Sequence, residues 1–269
     1  MRYRAFAIDL DGTMLAGEDV PQANIDALQD AINQGVRVII ATARWKEKAL
    51  QVQQKLGISE TLIACSGAQV FDPATGKDVF AARLPKEFTR ELFAICNEER
   101  CIATITGSKQ VRVKLDGEPV GAMMGDEMSW VPQLELLEND LPRIGALQGS
   151  KAVARVKDEL QARYAEHVNI FDSIGPTGRI IITITAKAAE KGTALAAACT
   201  HLALQPEEVV AFGDAENDLT MFRLAGAAVA MGQADAEVKA AADFVSLPND
   251  LGGVGHAVRY LLEHGEFNP

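Results

Sequence analysis

Three short apolar runs, Phe6–Ile8, Val36–Ala41 and Thr61–Cys65, alternate with two amphipathic segments within the first 65 residues. The first amphipathic segment, Ala23–Gln34, sets Ile25, Leu28 and Ile32 on one face and meets Gly35, a residue suited to ending a helix. The second runs through Ala49, Val52 and Leu56 and stops at Gly57. Runs that are apolar throughout, rather than alternating, belong to strands buried on both faces. A β-α-β-α-β order therefore predicts an α/β fold: a doubly wound parallel sheet covered by helices. Ligands of such sheets bind beyond the carboxyl ends of the strands, where Asp9, Thr42 and Ser66 all fall.

The pattern changes after this. Gln69–Leu84, with Asp72-Pro73-Ala74-Thr75-Gly76 in its middle, reads as a hairpin. Lys86–Glu98 is amphipathic through Phe88, Leu92 and Ile95, and the stretches Cys101–Thr106 and Gln110–Leu115 alternate. A looser segment, Asp116–Asp140, holds Met123, Met124 and Trp130, which suit packing better than substrate contact. Arg143–Leu147 reads as a strand, Lys151–Tyr164 as a helix, and Val168–Asp172 and Arg179–Thr185 as two more strands. This is an α+β module with an antiparallel sheet, expected over residues 84–186. It interrupts a parallel-sheet domain formed by residues 1–83 and 187–269, whose pattern resumes with the helix Glu190–Ala203 and the strand Val209–Gly213. Short strands and helices then run to Leu262.

Charge and composition narrow the function. The chain of 269 residues carries 37 acidic against 26 basic side chains, a formal net charge of −11. That balance argues against nucleic acid or an anionic membrane as the partner, though a local basic pocket can still hold a phosphate. No apolar run approaches the ~18–20 residues of a membrane span, and the first strand begins too early to leave room for a signal peptide. Cys65, Cys96, Cys101 and Cys199 form no CxxC pair. They suit a reducing, cytoplasmic location with thiols inside the fold. None of the four histidines shows ligand spacing.

The chemistry gathers at the strand ends. Asp9-Leu10-Asp11-Gly12-Thr13 follows the first apolar run and sets two carboxylates two residues apart. They would share a face if strand geometry continued. Like charges so close are costly unless a cation or proton neutralises them. Thr42 ends the second strand, where its hydroxyl can bond a phosphate oxygen or cap the next helix. Lys191 opens a helix, where its ammonium and the free N–H groups favour an anion. Asp214 and Asp218, in Gly213-Asp214-Ala215-Glu216-Asn217-Asp218, add two carboxylates at the same sheet edge. Hard oxygen donors of this kind suit Mg²⁺.

In this order, Asp9-Leu10-Asp11-Gly12-Thr13, Thr42, Lys191 and Gly213–Asp218 resemble the four motifs of the haloacid dehalogenase superfamily of phosphohydrolases. The long insertion resembles the large α/β cap of the Cof-type sugar-phosphatase-like subfamily. The resemblance implies a Rossmann-like core with an inserted cap domain that selects substrate. Asp9 would be the nucleophile that forms an aspartyl-phosphate, and Asp11 the general acid and base. Mg²⁺ would be held by Asp9, the Asp11 carbonyl and Asp214, with Asp218 orienting a bound water. Thr42, Lys191 and Asn217 would hold the phosphoryl group, and Arg44 would face the site as a further substrate phosphate-binding residue. Two positions depart from the pattern: Ala43 and Ser66 stand where relatives usually carry Gly and Asn. Trp45 can either pack or touch substrate.

The expected function is Mg²⁺-dependent hydrolysis of a small phosphate ester, sugar phosphates above all, by a monomer or small homo-oligomer. The alternatives are a phosphomutase or phosphotransferase using the same aspartyl-phosphate, and a catalytically idle binder of phosphate ligands.

Overall fold

A computed structural model describes residues 2–117, 128–137, 139–174 and 178–267. The chain divides into two compact units, Met1–Phe80 with Glu190–Pro269, and Ala81–Ala189.

The first unit is built on an eight-stranded sheet. Numbered along the chain, its strands are β1 (Ala5–Ile8), β2 (Arg37–Ala41), β3 (Leu62–Ala64), β4 (Gln69–Asp72) and β5 (Lys77–Ala81). After β6–β11 of the second unit come β12 (Val209–Gly213), β13 (Ala227–Ala230) and β14 (Phe244–Val245). The order is β14-β13-β12-β1-β2-β3-β4-β5. Neighbours from β14 to β3 pair in parallel, with Ala7 opposite both Ala211 and Ile39. The β4–β5 hairpin extends the sheet through an antiparallel pairing of β3 with β4. Six parallel strands and crossover helices make the α/β, Rossmann-like core that the alternation predicted.

Burial explains the strand order. β1 and β12 sit at the centre of the sheet and are buried at every residue. On one face Ala5, Ala7, Ala211 and Ile39 pack against Leu195 and Ala198 of α5 (Lys191–Leu202). The small alanines let that helix come close. The other residues of β1 and β12 turn to the opposite face, where Phe6 and Phe212 meet edge to face at 5.5 Å. Helix α1 (Gln22–Asn33) and the last helix, Gly253–His264, pack on each other. α2 (Lys46–Leu56) ends at Gly57 in the left-handed conformation, as its sequence predicted. Among the described residues no helix is long and apolar enough to cross a membrane.

The second unit is a six-stranded sheet of order β10-β11-β9-β6-β7-β8. Its strands are β6 (Ile102–Thr106), β7 (Val111–Lys114), β8 (Met128–Trp130), β9 (Ile144–Gln148), β10 (Val168–Ile174) and β11 (Ile180–Ala186). All pair antiparallel except β7 with β8. Phe88, Leu92 and Ile95 of α3 (Lys86–Glu98) and Val153 of α4 (Ser150–Arg155) share a core with Ile105, Leu147 and Ile184 of the sheet. The helix expected over Lys151–Tyr164 starts as α4 and loosens into a π-helical stretch, Val156–Gln161. β8 falls in the segment that read as loose, because three residues are too few to show alternation. Trp130 on it is 38% exposed, so it does not serve as core packing; Met123 and Met124 lie outside the described residues. All four cysteines are buried and outside any disulfide, and the Cys101 thiol donates to the Cys96 carbonyl at 3.3 Å.

The departure at Ser66 has a backbone consequence. After β3 the chain turns through Cys65 and Ser66 with φ of 54° and 55°. Their N–H groups donate to the carbonyls of Arg44 (2.8 Å) and Thr42 (3.1 Å), tying this turn to the loop after β2. Side chains other than Gly, Asn and Asp pay roughly 1–2 kcal/mol for left-handed backbone. Ser66→Asn should therefore hold or raise the denaturation midpoint, whereas the β-branched Ser66→Val should lower stability by about 1–2 kcal/mol. Equal midpoints for the two variants would refute strain at this turn.

Candidate active site

Asp9 is the first residue past β1. Its N–H donates to the Phe212 carbonyl at 3.1 Å, so it is still pinned to β12. The chain then turns: Met14 N–H donates to the Asp9 carbonyl (3.2 Å) and Leu15 N–H to the Leu10 carbonyl (2.9 Å). Strand alternation stops before Asp11. The two carboxylates accordingly have different surroundings, Asp9 being 5% exposed and the Asp11 side chain 53%.

Lys191 enters from the first turn of α5 and is buried. Its Nζ donates to Asp9 Oδ1 at 2.7 Å and to Asp218 Oδ1 at 2.6 Å. The other Asp218 oxygen accepts the N–H groups of Asp214 (3.0 Å) and Ala215 (3.1 Å), closing the turn after β12. The Asp218 carboxyl fills the space that a side chain on Gly213 would need. Asp214 Oδ1 accepts the Thr13 hydroxyl at 2.9 Å. Gly12, at φ +81°, faces the Asp214 carboxylate so closely that a methyl there would overlap it.

One carboxylate oxygen from each of Asp9, Asp214 and Asp218 lies within 4.8 Å of the others. Burial, reinforced by the charges of Asp218 and Asp214 and opposed by Lys191, pushes the Asp9 carboxyl up to about 7. Burial likewise raises Asp214. For Lys191 burial works against the charge, but Asp218 and Asp9 outweigh it and hold the ammonium above its ordinary range. Three carboxylates against one ammonium leave a deficit of positive charge in a dry site. The all-oxygen donor set fits a hard divalent cation. Asp218 has both oxygens engaged, so Asp9 and Asp214 are the better placed to reach such an ion.

Thr42 is fully buried, and its Oγ1 accepts the N–H of Arg44 at 3.1 Å. The hydroxyl thus caps the loop after β2 and keeps its own proton to donate. Arg44 turns its guanidinium to Asp11, with Nη2 2.6 Å from Oδ1, and lies 3.8 Å from Glu18. Asn217 is exposed on the turn after β12. Two contributors escaped the sequence reading. Thr13 was visible in its motif but carried no assigned role. Gln233 donates from Nε2 to the Gly12 carbonyl at 2.5 Å and accepts the Asn249 N–H at 3.0 Å, and no local pattern marks it.

Residues 6–258 match the sequence model of the haloacid dehalogenase-like hydrolases. The chain belongs to this family. The hydrolase is 25% identical to phosphatase YwpJ of Bacillus subtilis, across 96% of its own length and 100% of that protein's. It is 26% identical to the chloroplastic endoribonuclease YBEY of Arabidopsis thaliana; 94% of the chain aligns, spanning 46% of that longer protein. Its fold superposes on the sugar phosphatase BT4131, a subclass IIB member, with a TM-score of 0.77 at 25% identity, covering 96% of this chain and 98% of the other.

Two outcomes follow for the metal-free hydrolase. Lys191→Ala leaves two buried carboxylates without their cation and should cost about 3–5 kcal/mol of stability, read by denaturant unfolding. Asp9 holds its proton in the folded state up to about 7, against an ordinary value of roughly 3.9. Between those values the native state binds more protons than the unfolded one, so stability falls as pH rises. Thermal melts in chelator should show this decline in the parent and a shallower one in Asp9→Asn. Parallel curves would remove Asp9 as its source.

Proposed function

We propose that this hydrolase is a Mg²⁺-dependent phosphatase of small phosphate monoesters, sugar phosphates foremost, acting through an aspartyl-phosphate on Asp9. The observation that carries the reading is the buried Asp9 carboxylate, gripped on one oxygen by Lys191 and crowded by Asp214 and Asp218. Lys191 fixes Asp9 Oδ1, so Oδ2 is the oxygen presented to phosphorus. That oxygen forms the new bond to phosphorus, the ester oxygen leaves, and Asp11 protonates it. Asp11 then takes a proton from the water that cleaves the aspartyl-phosphate, which restores Asp9 and frees phosphate. Asp11 is exposed, as a group that must meet both a leaving group and water has to be.

Thr42 would donate its hydroxyl, Lys191 its ammonium and Asn217 its amide to the oxygens of the transferring group. Mg²⁺, when bound, neutralises charge developing on that group. Asp9, the Asp11 carbonyl and Asp214 would hold it, with Asp218 behind them. The second unit, as an inserted cap, would supply leaving-group selection. The names of YwpJ and BT4131, a phosphatase and a sugar phosphatase, support this substrate class.

The deciding experiment is phosphate release from a panel of phosphate esters, with and without Mg²⁺. The parent should release phosphate only with the metal, and Asp9→Asn should lose on the order of 10⁴-fold or more. Asp11→Asn should lose about 10²–10⁴-fold while binding Mg²⁺ as the parent does, since only its main-chain carbonyl is assigned to the metal. Metal-independent release, or an active Asp9→Asn variant, would overturn the proposal.

A further inference from the structure

Arg44 is held differently at its two ends. Its main chain is fixed: the N–H donates to Thr42 Oγ1 at 3.1 Å and the carbonyl accepts Cys65 N–H at 2.8 Å. Its guanidinium lies across Asp11 as a fork, Nε 2.9 Å from Oδ2 and Nη2 2.6 Å from Oδ1, with Nε also 3.2 Å from Oδ1. Asp11 is 53% and Arg44 21% exposed, so this pair stands at the wet rim of the site and not in its dry floor. A solvated ion pair is worth little and exchanges readily. The same fork fits a carboxylate or a phosphate equally well.

Asp11 is also the group that must offer a proton to the departing ester oxygen. While both of its oxygens accept from Arg44, that offer competes with the guanidinium. Anything that draws Arg44 away releases Asp11 for its work. A second anion carried on the leaving group is the chemistry suited to do so, because it replaces the carboxylate that the guanidinium gives up. A neutral leaving group has nothing to give in exchange. Glu18, 3.8 Å from Nη1, supplies a further negative partner but only at the edge of ion-pair range.

We propose that Arg44 is a specificity-determining residue that exchanges Asp11 for a second anionic group of the substrate. The preferred substrates are then phosphate monoesters whose leaving group bears a further carboxylate or phosphate. This deepens the phosphatase reading above and rests on it for the role of Asp11.

The test compares matched esters, glycerol 3-phosphate against 3-phosphoglycerate and fructose 6-phosphate against fructose 1,6-bisphosphate. kcat/KM is measured for the parent, Arg44→Ala and Arg44→Lys. The parent should favour the doubly charged member of each pair by about tenfold or more, the scale of one charge-assisted fork. Arg44→Ala should erase that preference by losing mainly on the charged member. Arg44→Lys, which keeps the charge without the fork, should restore part of it. Equal losses on both members, or a parent without preference, would overturn the assignment. Calorimetric binding of the same intact esters to Asp9→Asn and to Asp9→Asn with Arg44→Ala reads the preference without turnover. A charge preference lost with Arg44 in binding supports the assignment even if the parent hydrolyses neither ester, an outcome that would sink the phosphatase reading alone. Indistinguishable binding with and without Arg44 would overturn it.

Discussion

The site depends on a single ammonium held between two carboxylates in a water-poor interior. Lys191 can stay charged there only because Asp9 and Asp218 flank it at 2.7 and 2.6 Å, and they can crowd together only because it is present. Meeting that condition requires three elements to end at one point: the carboxyl end of β1, the first turn of α5 and the tight turn after β12. Neighbouring positions inherit tight limits. Gly213 leaves space for the Asp218 carboxyl, and Gly12 leaves space for Asp214. Thr13 and the main-chain N–H groups of Asp214 and Ala215 saturate oxygens that would otherwise be buried without partners.

From this follows a division between two aspartates that look equivalent on paper. Asp9 is enclosed, oriented by Lys191 and shielded from solvent. Asp11, two residues on, has left the strand and faces outward onto Arg44. One can act only on a group delivered to it, and the other can meet whatever arrives with that group. Sites that run acid and base chemistry with two carboxylates commonly set them in contrasting environments. Here the contrast comes from backbone geometry, since the chain turns between them.

What could be read ahead of the structure was whatever depends on near neighbours in the chain. The parallel sheet was legible because β1, β2, β3 and β12 are apolar at almost every residue, and Gly57 marked a helix end through its own backbone preference. Asp9, Thr42, Lys191 and Asp214 were legible because each stands at the end of such an element. Partnerships across the fold were not. Nothing local ties Gln233 to Gly12, or turns the Arg44 guanidinium to Asp11. β8 escaped because three residues carry no period, and the π-helical stretch Val156–Gln161 escaped because its periodicity is that of the α-helix it continues. The left-handed turn at Cys65 and Ser66 ran against local preference, which favours Gly or Asn there.

The central strand pairing has a consequence for how the chain assembles. β1 pairs with β12 some two hundred residues later, Ala5 opposite Val209, and Asp9 meets Lys191 across a separation of 182 residues. The second unit, Ala81–Ala189, is a continuous segment and closes its sheet through shorter loops. Loop closure costs entropy before distant contacts repay it. During synthesis the inserted unit can therefore be complete while β1 still has an open edge and Asp9 has no cation. The last-made third of the chain finishes both the sheet and the charge balance in one step. Completion of the buried Asp9–Lys191–Asp218 cluster is in this way coupled to closure of the fold: an incompletely synthesised chain holds Asp9 but lacks the lysine that orients it.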